Sequence, residues 1–204
     1  MVGCTFLPAP YCYRCFFELE YPKCRLRCAR ALEDIIKFNT SDNVAAFIAE
    51  PLLGEGGIIT PPEGYFLEIE KILKKHEILF IVDEVQTGFC RTGKMFGIEH
   101  YGVEPDIMVM AKGIADGFPL SAFIAREEIA DSFKPGDHLS SFGGNPVSCA
   151  ASLANIEFML ETNLSNQALE KEEFLKEKLE GFAKRHKFIG EIRGKGLMIG
   201  IELV

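Results

Sequence analysis

The chain has 204 residues, of which 48% are hydrophobic and 25% charged, so we expect a globular protein with one sizeable core and no extensive disorder. The formal net charge is −8 and no cluster of lysine and arginine forms a basic stripe, which disfavours nucleic acid as a partner and favours small molecules. The first residues lack the pattern of a signal peptide, and no apolar run approaches the roughly 20 residues of a membrane span. We therefore predict a cytoplasmic protein without membrane contacts.

Four of the seven cysteines lie close together near the N-terminus, as Cys12-x2-Cys15-x8-Cys24-x3-Cys28. Paired thiolates at short spacing can hold zinc, but the central gap is shorter than in the common zinc patterns. Free thiols are the favoured interpretation, and we predict no metal site. Residues 1–25 have no hydrophobic period and are predicted to form loops.

The first half of the chain predicts a strand, helix, strand unit. Apolar residues at helical spacing predict a helix over 28–38, and a short buried strand follows over 44–49. A helix opened by residues 61–64 is expected to run to about His76, and a strand follows over 78–82. The short links favour parallel strands with right-handed crossovers.

The second half of the chain predicts two further strands, over 106–111 and 120–125, and then two helices. The first helix covers 146–161. The second is long and amphipathic, with Ser165 as its predicted cap and its end near Lys187. A last strand is expected over 197–204. One helix and one strand bury little surface, so the sequence looks cut short at its C-terminus.

Two charged residues follow predicted strands. Asp83 comes directly after the strand over 78–82, and Lys112 comes directly after the strand over 106–111. If these strands are parallel neighbours, an amine and a carboxylate emerge side by side at the carboxyl edge of one sheet, where open α/β folds place their ligands. Such a pair suits pyridoxal phosphate, because lysine can bind it as a Schiff base and aspartate can hold its protonated ring nitrogen. Taken singly, Lys112 could be a surface lysine and Asp83 a helix cap.

Four stretches occur in an order and at spacings typical of one enzyme family. They are Glu50-Pro-Leu-Leu-Gly-Glu-Gly-Gly, Asp83-Glu-Val-Gln-Thr-Gly-Phe, Ala111-Lys112-Gly and Ser140-Ser-Phe-Gly-Gly-Asn-Pro. From about residue 44 to 204 the chain resembles the class III pyridoxal phosphate-dependent aminotransferases, which include 4-aminobutyrate, ornithine and acetylornithine aminotransferases.

The resemblance implies an α/β fold of fold type I. Residues 1–163 would form part of the large cofactor-binding domain, a mostly parallel sheet with helices on both faces. Residues 164–204 would begin a small α/β domain. Only the C-terminal half of the family pattern is present, and the glycine-rich loop that holds the phosphate at a helix N-terminus is not found.

The resemblance also implies roles for cofactor-binding residues. Lys112 would bind pyridoxal phosphate covalently and then move a proton during the reaction, and Asp83 would pair with the ring nitrogen. Val85 would pack on the ring face and Gln86 would hydrogen-bond the ring hydroxyl. Ser141 would reach the phosphate of the neighbouring subunit's cofactor, which implies a homodimer with shared active sites. A serine in a turn is the alternative for Ser141.

Two glutamates match family positions near the substrate. Glu55 would be the carboxylate that releases an arginine when an α-carboxylate substrate binds, and Glu50 would be a supporting acid. Exposed loop glutamates are the alternative for both residues.

The activity implied by the resemblance is transfer of an amino group to a 2-oxo acid from an amino acid, with an ω-amino donor such as 4-aminobutyrate favoured. Two alternatives stay open. The same lysine and aspartate would serve a pyridoxal phosphate-dependent racemase or aminomutase, and the chain could be an inactive truncated fragment without the phosphate-binding loop.

Overall fold

Residues 3–41 and 43–204 are described by a computed structural model. The N-terminal segment 3–26 contains only turns and irregular backbone, as its lack of hydrophobic period predicts. Helix α1 spans Arg27–Asn39 and helix α2 spans Tyr65–Lys75. Their inward residues recur at helical spacing and are buried, with Ala29, Ala31, Leu32 and Ile36 on α1 and Tyr65, Phe66, Ile69, Ile72 and Leu73 on α2.

A four-stranded sheet lies beside these helices. Its strands are β1 (Ala46–Ala49), β2 (Leu79–Asp83), β3 (Ile107–Met110) and β4 (Ala122–Ala125), in that spatial order. Strands β1, β2 and β3 are parallel, whereas β4 runs antiparallel to β3. The predicted α/β fold with a mostly parallel sheet is confirmed, and β1 occupies one edge of the sheet.

The core lies mainly on one face of the sheet. Alternate strand residues point to opposite faces, and the buried ones share a face. Phe80, Val82, Met108 and Met110 are buried, and the Phe80 ring stacks on Phe66 of α2 at 5.9 Å between centroids. Burial of one such side chain contributes about 1.5–3 kcal/mol relative to exposure. The other face is only partly covered within the described residues.

Three helices follow the sheet: α3 (Glu127–Ala130), α4 (Pro146–Glu161) and α5 (Leu164–Ala183). Asn145 caps α4 by accepting a hydrogen bond from the Ser148 backbone N–H at 2.9 Å. The prediction that Ser165 caps the last helix is wrong. That residue lies inside α5, and its hydroxyl donates to the Cys90 sulfur at 3.2 Å.

The chain closes with an antiparallel hairpin. Its strands are β5 (Ile189–Lys195) and β6 (Met198–Leu203), and β5 packs against α5. The expectation of one helix and one strand after the large domain is therefore wrong. Strand β5 escaped prediction because two glycines and three charged residues interrupt its apolar alternation, and α5 ends at Ala183 rather than near Lys187.

The N-terminal cysteines remain thiols in the structure. Cys12, Cys15, Cys24 and Cys28 line a common cleft, and none of these four forms a disulfide in the described part of the chain. Burial raises the pKa of Cys28 to about 11, which keeps this thiol protonated at neutral pH. In the described part of the chain, no group of three or more potential ligands is arranged to hold a metal ion. None of the described helices combines the length and apolar composition of a transmembrane span.

Candidate active site

Asp83 and Lys112 lie at the same edge of the sheet. Strands β2 and β3 are parallel neighbours in which Asp83 is paired with Val109, and the Glu84 N–H donates to the Val109 carbonyl at 2.9 Å. Lys112 follows the last residue of β3 by two positions. Both residues therefore sit at the carboxyl ends of adjacent parallel strands, as their spacing predicts.

Lys112 occupies an unusual backbone conformation. Its φ is +47°, in the left-handed region that side chains other than glycine seldom adopt, at a cost of about 1–2 kcal/mol. It begins a 3-10 turn, Lys112–Ile114, closed by a hydrogen bond from the Ile114 N–H to the Ala111 carbonyl at 3.1 Å. The Lys112 side chain is exposed, and its ammonium group has no hydrogen bond or ion pair within residues 3–41 and 43–204.

Asp83 is held by its own backbone turn. Its Oδ1 accepts a hydrogen bond from the Val85 N–H at 3.0 Å, which is an Asx turn. The helix-cap alternative is wrong, because turns rather than a helix follow Asp83. Its second carboxylate oxygen has no hydrogen-bonding partner in the described part of the chain. That oxygen can therefore accept a hydrogen bond from a ligand.

Gln86 joins the segment after β2 to the loop that carries both candidate glutamates. Its amide nitrogen donates to Glu55 Oε1 at 3.3 Å. A Cβ atom at Gly54 would lie 2.5 Å from Gln86 Oε1, so a larger residue there would displace the end of the Gln86 side chain. Glu50 accepts from the Gly54 N–H at 2.9 Å and closes the same loop. Glu50, Glu55, Asp83 and Gln86 thus belong to two segments in direct contact.

The remaining two predicted residues have fewer contacts. Val85 is half-buried and donates its backbone N–H to Asp83. Ser141 lies in an exposed bend before α4, and within the described residues its side chain makes no hydrogen bond to another predicted site residue.

Glu84 supports the site and was not among the predicted residues. Its carboxylate is fully buried and accepts hydrogen bonds from the Gly97 and Ile98 N–H groups, at 2.9 and 2.8 Å, and from the Thr87 hydroxyl. Burial raises the pKa of Glu84, and these hydrogen bonds oppose the rise. The sequence signal for Glu84 was its position directly after Asp83 at the end of an apolar strand. Successive side chains of a strand point in opposite directions, so Glu84 is expected to point away from the side that Asp83 faces.

Arg193 of β5 is a second supporting residue that the sequence analysis missed. Its guanidinium group donates to the Gly57 carbonyl, forms ion pairs with Glu191 at 3.0 Å and Glu202 at 2.9 Å, and lies over the Tyr11 ring. Through the hydrogen bonds to Gly57, Arg193 connects the hairpin to the loop that carries Glu55. Sequence alone gave no signal, because 136 residues separate the arginine from Gly57.

The chain is similar to proteins of one enzyme family. A family model described as Aminotransferase class-III matches residues 3–204. The match begins well before residue 44, where the recognisable motifs start, and so includes the N-terminal loop segment.

Curated relatives of the chain carry more than one activity in their names. The chain is 43% identical to a leucine/methionine racemase of Thermococcus litoralis over 98% of its own length and 45% of the relative's. It is 51% identical to an ornithine aminotransferase of Oceanobacillus iheyensis over 79% of its own length and 40% of the relative's. The chain thus spans less than half the length of either relative.

Solved structures give the same match. An amine transaminase from an uncultivated Pseudomonas species, solved in the PLP-bound internal aldimine form, superimposes with a TM-score of 0.93 at 38% identity, over 100% of this chain and 48% of that one. An (S)-enantioselective omega-transaminase from Thermomicrobium roseum has a TM-score of 0.89 at 40% identity, over 96% and 45% of the two chains.

Proposed function

Because the chain belongs to the class III aminotransferase family, we propose that it forms the part of a pyridoxal phosphate-dependent transaminase that carries the reactive lysine. The observation that supports this most directly is the placement of Lys112 and Asp83 at the ends of adjacent parallel strands. Each has a polar group without a protein partner in the described residues, an ammonium on one and a carboxylate oxygen on the other. A cofactor with an aldehyde and a basic ring nitrogen needs an amine to bind the aldehyde and a carboxylate to pair with the protonated nitrogen.

The residues present fit this cofactor. Lys112 would hold it covalently through Nζ, and the free oxygen of Asp83 would accept the ring N–H, while the other oxygen stays fixed by the Asx turn. Val85 would cover one ring face and Gln86 would reach the ring hydroxyl. When bound, pyridoxal phosphate supplies an electron sink for the substrate carbon that loses a proton.

The chain's own residues would then move and orient protons. Lys112 Nζ, once released, would take the proton from the substrate carbon, which requires a neutral amine. Because Gln86 donates to Glu55, we propose that the cofactor-side segment orients the carboxylate that governs substrate binding. Glu50 would support that loop through its hydrogen bond to the Gly54 N–H.

We propose amino-group transfer from an ω-amino acid to a 2-oxo acid, with 4-aminobutyrate and ornithine as the first donors to test. A racemase or aminomutase is the second candidate, favoured by the 43% identity to the leucine/methionine racemase. Three further statements remain predictions. They are a homodimer in which Ser141 reaches the partner's cofactor phosphate, a division into domains at residues 163 and 164, and a cytoplasmic location. The alternative that this stretch is inactive by itself also remains a prediction.

Addition of pyridoxal phosphate to the chain tests the proposal. We expect a visible absorbance band and, after borohydride reduction, a pyridoxyl mass on Lys112. Both should be lost in Lys112→Ala and kept in Lys134→Ala, which removes an exposed lysine whose side chain makes no hydrogen bond or ion pair within the described residues. An equally strong band in Lys112→Ala would refute the assignment.

A longer form that contains the remaining part of the large domain would separate the two candidate activities. With ornithine as the donor, formation of an aldehyde at its ω carbon, together with an amino acid from the 2-oxo acid, supports transamination. Loss of optical rotation of the donor without any carbonyl product supports racemisation.

A further inference from the structure

A side chain on α4 contacts the turn that carries Lys112. The Asn155 amide nitrogen donates to the Gly113 carbonyl at 2.8 Å and lies 3.4 Å from the Ile114 carbonyl, although 42 and 41 residues separate the partners. Gly113 and Ile114 are the two residues directly after Lys112. The hydrogen bond therefore holds the backbone directly after the proposed cofactor-binding lysine.

The turn needs support from outside. The left-handed backbone of Lys112 costs free energy, and the turn's own hydrogen bonds are few, with the Ala115 N–H reaching the Lys112 carbonyl only at 3.4 Å. Carbonyl groups at the end of a short helix lack intrahelical donors, so a side-chain amide satisfies them directly. On another side, Gly113 packs against Phe89, where an added Cβ would lie 3.0 Å from the Phe89 Cβ.

The inward face of α4 has the composition for this role. Ser148, Ser152, Asn155 and Met159 recur at helical spacing and are buried or half-buried, whereas Leu153 and Phe158 are exposed. Two of the three buried residues of α4, Ser148 and Ser152, are polar, and the half-buried Ile156 packs against the apolar core beside Asn155. This face therefore combines core packing with polar groups that can bind backbone carbonyls.

We propose that Asn155 is a positioning residue that holds the Lys112 turn in its left-handed conformation and so directs the lysine to the sheet edge. The inference rests on the proposed role of Lys112. Only a side chain that donates fits the position. Leucine has nearly the same shape but no donor, and aspartate would set carboxylate oxygens against two carbonyl oxygens.

Hydrogen exchange of the full chain tests the positioning without any cofactor. In Asn155→Leu and Asn155→Asp, we expect the Ile114 and Ala115 amides, which donate the hydrogen bonds of the turn, to exchange about tenfold faster, while those of β2 stay unchanged. Glu157→Leu is the matched control, because it introduces the same side chain at an exposed position of the same helix and should leave the turn protected.

The rate at which pyridoxal phosphate becomes trapped on Lys112 by borohydride gives the second readout. We expect a fall of about tenfold in Asn155→Leu and no change in Glu157→Leu. Unchanged exchange in the turn, or faster exchange throughout the chain, would overturn the inference, the latter because it signals a general structural role. A parent chain that forms no adduct would count against the proposed function, whereas the exchange result would still decide whether Asn155 holds the turn.

Discussion

The guanidinium group of Arg193 donates two hydrogen bonds to one acceptor, the carbonyl oxygen of Gly57, from Nη2 at 2.6 Å and from Nε at 3.0 Å. Gly57 lies two residues after Glu55, so the C-terminal hairpin and the loop of the proposed substrate carboxylate are fastened at one point. A planar guanidinium can bind one carbonyl from two nitrogens and still face Glu191 and Glu202.

Arg193→Lys should loosen this connection. A lysine ammonium keeps the charge but cannot reproduce the two-nitrogen contact, so we expect a loss of about 1–2 kcal/mol in the free energy of unfolding. Amide exchange of residues 57–59 should also rise. Arg185→Lys is the control, since among residues 3–41 and 43–204 the guanidinium group of Arg185 binds only the end of its own helix and the Phe182 ring. An equal effect in both variants would contradict a specific role for Arg193.

Glu84→Gln should destabilise the segment after β2. An amide has one acceptor oxygen, so its NH₂ group must face at least one of the three donors that the carboxylate now accepts. We expect a net loss of about 1–2 kcal/mol in urea unfolding, after relief of the buried charge is subtracted. In contrast, Glu99→Gln at the exposed end of the same segment should change stability by less than about 0.5 kcal/mol.

Gly196→Ala should be far more costly than Gly102→Ala. Both glycines have a positive φ, +56° and +65°, so an added methyl group strains both backbones. At Gly196 the new Cβ would also lie 2.4 Å from the Thr92 carbonyl carbon, whereas nothing lies within 4 Å at Gly102. In thermal unfolding we expect the free energy of unfolding to fall by about 2–4 kcal/mol in Gly196→Ala and by about 1 kcal/mol in Gly102→Ala. Similar losses in both variants would show that the hairpin turn shifts to make room for the methyl group.

Stability should fall as the pH decreases through the normal pKa of histidine, about 6.5. Burial lowers the pKa of His100, and Lys195 and Lys94 lower it further, while the Thr92 backbone and Glu172 oppose the shift. Between the two pKa values the unfolded chain binds a proton that the folded chain does not, so stability rises with pH in that window and the loss is complete below the folded pKa.

His100→Gln should flatten this pH dependence between about pH 5 and 7, as measured by urea unfolding at a series of pH values. His138→Gln changes an exposed histidine whose side chain has no hydrogen bond, ion pair or ring contact in the described part of the chain, and it should leave the slope unchanged. A slope that survives in His100→Gln would assign the effect to another group.

The elements that hydrophobic periodicity predicted are those with an uninterrupted apolar face. Strands β2 and β3 lie within one residue of their expected bounds, and helix α2 begins directly after the residues expected to open it and ends one residue before His76. Phe66, Ile69 and Leu73 on the helix and the apolar run before Asp83 specify these elements. Strand β5 was missed because glycines and charges break its pattern, and long-range packing against α5 stabilises it instead.

Some residues of the candidate site could likewise be placed from the sequence, whereas others could not. Lys112 and Asp83 could be placed together from strand spacing alone, since parallel neighbours end at one edge. The contacts of Asn155 and Arg193 could not, because they join residues 42 and 136 positions apart and depend on how helices and loops pack. The left-handed backbone of Lys112 likewise follows from tertiary contacts rather than from residue preference.

Strand β1 has a consequence for handling the purified chain. Among the described residues it ends the sheet on one side with only β2 as a neighbour, and Ile48 on it is 60% exposed. A row of unpaired peptide groups beside an apolar side chain is a template for edge-to-edge association with another molecule. Association at Ala46–Ala49 would therefore promote aggregation at high protein concentration, and each unfolding curve should be accompanied by light scattering across a dilution series.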